Sequence, residues 1–167
     1  MFKAHWAIFI PESGDRSCKR GKYIHVIGSL KDGFQFELVR GYDMAKTGTR
    51  PLPAIEIGLV TAGFVVDTPS GGQRVKGAIG DLKNGQQPFR AMDGLEQFLA
   101  AVAPPTKSLN SATSGTSRGK KVDMSDCQWW TTRCVRAHVE QGLLIAPQRG
   151  LNKNKDPVDI MSSAPRH

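Results

Sequence analysis

The apolar period of this chain changes once, near residue 91, and that single change limits the folds open to it. Before it, short apolar runs are broken by turn residues; after it, apolar residues recur at spacings of three and four. Met92, Leu95, Phe98, Leu99 and Val102 draw one helical stripe that stops at Pro104-Pro105. A second helix is expected over 125–144, opened by Ser125 and Gln128 as a capping box or by Asp126 as N-cap, and closed by Gly142 and Pro147. Strands first and helices last predict an α+β fold, with an antiparallel β-sheet packed against two main helices.

Residues 4–10 are short and apolar, end at Pro11, and read as a buried strand. A turn-rich stretch over 11–21 leads to a second strand at 22–30, and Lys31-Asp32-Gly33 turns the chain into a third at 34–39. Residues 54–60 and 64–66 are further strand candidates, and the Gly-, Gln- and Pro-rich stretch 67–90 offers only a short strand near 75–79. Residues 104–124, rich in Ser, Thr, Gly and Asn, are expected to form a flexible loop. Residues 1–146 are thus expected to make a single domain, followed by a polar, loosely held tail at 147–167.

With 167 residues, 39% of them apolar and 23% charged, the chain has material for one hydrophobic core and is unlike a disordered tail. No apolar run approaches the roughly 20 residues of a membrane-spanning helix. Three cysteines and no stretch of signal-peptide length behind Met1 point to a reducing compartment, and a cytoplasmic location is expected. The net charge of +8 favours polyanions in general. Its cations fall in expected loops (Arg16, Lys19, Arg20, Lys22, Lys107, Arg118, Lys120, Lys121) and in the tail (Arg149, Lys153, Lys155, Arg166), as on a solvated surface. Aromatic content of 7%, with no basic stripe interleaved with stacking residues, argues against a dedicated nucleic-acid reader. No phosphate-binding glycine spacing is present.

The candidate chemistry lies at Cys127, His5 and His25. A cysteine in the first turn of a helix faces the positive end of the macrodipole and unpaired N–H groups, both of which favour thiolate. His5 and His25 each sit among apolar residues on consecutive strands. A hairpin that places residue 5 directly opposite residue 25 brings their Cβ atoms to about 4.5–5.5 Å. One imidazole then takes the thiol proton while the other orients it, the three-part logic of an activated nucleophile. The same three residues form a set zinc accepts, but no close ligand pair of the Cys-x-x-Cys kind accompanies them, so neither metal nor cofactor is expected. Cys134 and His138 share roughly the helix face of Cys127 and read as packing residues. One of Trp129 and Trp130 is expected to pack beneath the sheet and the other to floor a substrate cleft or stack on a base, with core packing the default for either, while Cys18 reads as an exposed bystander.

The string His5-Trp6-Ala7-Ile8-Phe9, then Tyr23-Ile24-His25-Val26, then Asp126-Cys127-Gln128 at a helix start, resembles the lecithin retinol acyltransferase-like proteins. These are a branch of the circularly permuted papain-like cysteine hydrolases. The resemblance covers about the first 40 residues and 125–143. It implies a permuted papain-like fold, His5 as base, His25 as its orienting partner and Cys127 as nucleophile. Trp6, Asp126, Gln128 and Trp129 would then form the substrate or oxyanion surroundings. Two positions depart from that family: Asp126 stands where it usually has Asn, and Gln128 followed by two tryptophans replaces its acidic and histidine pair. No hydrophobic C-terminal anchor like those of many members is expected. The expected activity is a thiol-dependent hydrolase or acyltransferase acting on an acyl, amide or thioester bond of a small-molecule, acyl or peptide substrate. The alternative is a catalytically inactive binding module of the same fold whose basic loops, 16–22 and 107–121, meet an anionic partner.

Overall fold

The computed structural model describes residues 5–13, 18–46, 54–67, 73–76, 89–107 and 125–165. Strands β1 (Ile8–Pro11), β2 (Arg20–Ser29) and β3 (Gly33–Asp43) form a meander, and β4 (Leu59–Val60) and β5 (Gln73–Lys76) follow. Helices α1 (Gly94–Ala101) and α2 (Cys127–Glu140), strand β6 (Leu144–Ile145) and helix α3 (Pro157–Ser163) complete the order. A four-stranded sheet runs β1-β2-β3-β5, every neighbour antiparallel, and β4 pairs with β6 in a second, two-stranded sheet. Among the described residues the architecture is α+β, with antiparallel sheets and three α-helices.

Ile24 and Val26 of β2 lie level with Leu38 and Phe36 of β3, and all four are buried. They meet Leu95 and Leu99 of α1 and Trp130 and Cys134 of α2 in one core. Successive strand residues point to opposite faces, so Tyr23, His25 and Glu37 belong to the other side of the sheet. β1 docks closely on β2 because Gly21 has no side chain: a Cβ there would lie 2.0 Å from the Ile10 carbonyl oxygen.

α1 begins later than its stripe suggests. Asp93 is its N-cap and accepts from the Glu96 amide at 2.8 Å, so Met92 lies outside the helix and is exposed. Glu96, fully buried, accepts from Lys22 Nζ at 2.7 Å and from Arg40 Nε and Nη2 at 3.0 and 2.7 Å. Lys22 also bonds Asp93. Two cations and two carboxylates thus close on each other between β2, β3 and α1. Lys22 is therefore no loop cation; it is buried and paired. Burial would raise the Glu96 carboxyl, but bonds from Arg40, Lys22 and the Met92 amide together hold it below its usual value.

Three other expectations change. Residues 54–58 and 64–66 are not strands; only Leu59–Val60 pairs, with β6. α2 stops at Glu140, where Gly142 at φ +68° turns the chain and the amides of Gly142 and Leu143 return to the Val139 and His138 carbonyls. The tail expected to be loosely held carries α3, capped by Asp156, opened by Pro157 and packed on α2 through buried Met161. Most of the expected flexible loop, residues 108–124, and the candidate strand residues 77–79 lie outside the described residues.

Candidate active site

The register of β1 on β2 places Ile8 opposite Ile24 and Phe9 opposite Tyr23. Continued outward, it sets His25 level with residue 7, so His5 and His25 are diagonal neighbours and not the direct pair expected. His5 precedes β1 and reaches back: its Nε2 lies 2.7 Å from His25 Nδ1, with the two rings edge to face at 4.9 Å. His25 is in turn directly opposite Glu37 on β3, and its Nε2 lies 2.7 Å from Glu37 Oε2. Both His25 and Glu37 are buried.

These contacts assign the protons. A carboxylate only accepts, so His25 donates through Nε2 and, when neutral, accepts at Nδ1. His5 must then donate through Nε2, which leaves its lone pair on Nδ1. The chain Glu37, His25, His5 delivers a basic nitrogen at the surface end, since His5 is exposed whereas its partners are not. Desolvation lowers the His5 pKa, and the Glu37 carboxylate opposes that shift, so His5 is a neutral base near pH 7.

Cys127 is the first residue of α2, as expected, and Asp126 is the N-cap. The Asp126 carboxylate accepts from the amides of Gln128 and Trp129 at 3.0 and 3.1 Å, so Ser125 and Gln128 do not form the cap. The sulfur is buried, and burial pushes the thiol up. The Trp6 amide pulls it down, the Asp126 carboxylate pushes it up again, and the amides of Gln128 and Cys127 pull it down; the net direction is up. Desolvation outweighs the helix end here, so the free protein holds thiol and not thiolate. Among the described residues no hydrogen bond joins His5 to the sulfur. Trp6, the next residue in the chain, makes the connection through its amide.

Two residues of the site were not singled out from the sequence. Glu37 is one. Tyr23 is the other: its ring stacks on Tyr42 at 4.6 Å and tilts against His25 at 4.7 Å. Burial, then Tyr42, Glu37 and Cys127, push its phenol up to about 12, so Tyr23 is a neutral hydroxyl within electrostatic reach of the sulfur. Gln128 is buried beside Cys127, and Trp129 is half-buried under the Arg133 guanidinium at 5.2 Å. Trp130 is the tryptophan in the core, where its Nε1 donates to the Val102 carbonyl at 2.9 Å.

Cys134 and His138 are buried packing residues. His138 Nδ1 donates to the Cys134 carbonyl at 2.8 Å and its ring lies 4.2 Å from Phe98. Cys18 is exposed. No group of three or more His, Cys, Asp or Glu side chains among the described residues is arranged to hold a metal ion. None of the helices among those residues is long and apolar enough to cross a membrane.

No curated protein and no solved structure matches the chain. Residues 1–145, which span the histidine strands, Glu37 and the cysteine helix, match the family of unknown function DUF6540, and the chain belongs to that family.

Proposed function

We propose that this protein is a thiol-dependent hydrolase or acyltransferase that works from a neutral thiol and imidazole. His5 Nδ1 takes the Cys127 proton as the sulfur attacks the carbonyl carbon of an acyl, amide or thioester bond. The bond to the leaving group breaks as His5 returns the proton to it. Water or an amine then displaces the acyl group from sulfur, with His5 again as base. Positive charge that develops on His5 is spread through His25 toward Glu37, and the Cys127 amide at the helix start faces the developing oxyanion. The order of elements, histidine strands first and cysteine helix last, fits the permuted papain-like arrangement that the resemblance implies.

The observation that carries this reading is the unbroken chain from Glu37 through His25 to His5, ending one residue before the amide that touches the Cys127 sulfur. Contacts between base and nucleophile are commonly long without substrate, so their separation here is compatible with the reading. Intact-protein mass after exposure to a panel of activated esters and thioesters tests it. The expected result is one acyl adduct, absent in Cys127→Ser and formed about 10²- to 10⁴-fold more slowly in His5→Ala. Adducts spread evenly over the three cysteines, or none at all, overturn it.

The raised thiol of Cys127 and its lack of a hydrogen bond to His5 favour the second reading, a binding module that keeps this fold without turnover. Salt-sensitive binding to mixed RNA or DNA, unchanged in Cys127→Ala and accompanied by no acyl adduct, decides for it.

A further inference from the structure

The residues between β6 and the end of the chain lie beyond the DUF6540 match, yet they reach the candidate site. α3 packs along α2, and its buried Met161 joins Val135 of α2 and Leu144 of β6 in a cluster distinct from the main core. Trp6 packs on that cluster with Ile57, Val60 and Val158. Just after α3, the Pro165 carbonyl accepts from Trp6 Nε1 at 3.3 Å. The indole is therefore held from the C-terminal side, while the backbone amide of the same residue lies against the Cys127 sulfur. His5, one residue earlier, precedes β1 and lacks the ladder bonds of a strand to fix it.

From this juxtaposition we infer that α3 is a positioning element for the nucleophile: by clamping the Trp6 side chain, it holds the Trp6 amide at the Cys127 sulfur and later at the oxyanion. The inference rests on Cys127 being the nucleophile of the proposed reaction. An amide pointed at sulfur stabilises negative charge there, and the same amide lies near the oxygen of a carbonyl attacked by that sulfur. Asp126 already takes the Trp129 amide and shares the Gln128 amide with the sulfur. Few helix-start donors remain for a forming charge, which makes the one from Trp6 matter more. In this role Trp6 is a donor through its backbone, and Met161 and Pro165 are positioning residues.

The test is the pH dependence of Cys127 alkylation by iodoacetamide, followed by peptide mass in the full chain. Trp6→Phe keeps an aromatic ring and the backbone amide but cannot bond Pro165. Met161→Ala loosens α3 while leaving the Trp6 hydrogen bond chemically possible. In both, the expected rate at pH 7 falls about three- to tenfold and converges with wild type at high pH, the mark of a raised thiol pKa. Cys18, at the surface, serves as internal standard and keeps its rate. Superimposable pH profiles for wild type and Trp6→Phe, with circular dichroism unchanged, overturn the inference whatever Met161→Ala does. The proposed reaction is judged separately by His5→Ala in the acyl-donor experiment. A failure of the clamp and a failure of the reaction therefore give different results.

Discussion

Asp126 has two opposed effects. As N-cap it satisfies two amides of the first turn of α2, a contribution of about 1 kcal/mol. As a carboxylate beside Cys127 it raises the thiol, after burial has already done so. Asn caps a helix about as well as Asp and carries no charge. Asp126→Asn is therefore expected to leave the melting temperature nearly unchanged while speeding Cys127 alkylation at pH 7 about threefold or more. Stopped alkylation series on the two proteins measure this, and equal rates would show that the carboxylate is screened from the sulfur. At this scale the candidate site was unevenly legible in the sequence. Cys127, His5 and His25 were readable because their types and their places on a helix start and two strands are uncommon together. Glu37 was not, because in Phe34-Gln35-Phe36-Glu37-Leu38 an acidic residue alternating with apolar ones is what any solvent-facing strand position shows. Only the pairing of β2 with β3 reveals that His25 is its direct partner. The offset between His5 and His25 was hidden for a related reason. Register depends on how the loop between β1 and β2 closes, and hydrophobic alternation constrains it only modulo two residues.

At the scale of elements, α1 is fastened to the sheet by charge as much as by its apolar face. Glu96 takes three side-chain donor bonds from two strands at a point with no exposure. Removing one member of such a buried set leaves uncompensated charge and typically costs about 3–5 kcal/mol. Glu96→Gln, which removes the carboxylate that Lys22 and Arg40 share, is expected to lose about that much in urea unfolding. A loss under 1 kcal/mol would mean that the cluster admits water. Nothing local in the sequence points to this cluster, since Lys22 follows a turn-rich basic stretch and looks like one more surface cation. α3 was missed differently. Seven residues give too little periodicity for a stripe, although Asp156-Pro157 is a proper cap followed by a first-turn proline and was a usable signal. β4 and β6 are two residues each, too short for any pattern, and exist because they find each other across 84 positions of sequence order, from Val60 to its partner Leu144.

For the whole molecule, pH bears on stability through groups buried without charge. His138 lies against Phe98 and Phe64 with Nε2 buried and no partner for it among the described residues. Burial lowers its pKa below 6.5, against the Cys134 carbonyl, which raises it. The unfolded chain therefore binds the proton first as pH falls. The stabilisation is complete above about 6.5 and is lost progressively below it, at most about 1.4 kcal/mol per pH unit from one histidine. His5 acts in the same direction, and Glu96 adds to the loss only below its ordinary 4.5. Thermal melts at pH 7 and pH 5 should show a drop in the wild type that His138→Leu reduces, even though the variant starts lower. An equal drop in both assigns the loss elsewhere.

β1 is four residues long and, among the described residues, has a neighbouring strand on one side only. Strands of that kind open without the rest of the molecule, at a cost well below that of global unfolding. Amide hydrogens of Ile8 and Ile10 should consequently exchange with solvent sooner than those of Ile24 or Leu38, in the middle of the sheet. Because the proposed base hangs from the free end of this strand, the proposed catalytic array is only as persistent as its least durable segment. Its lifetime, more than the strength of any one bond within it, would set the fraction of molecules ready to react.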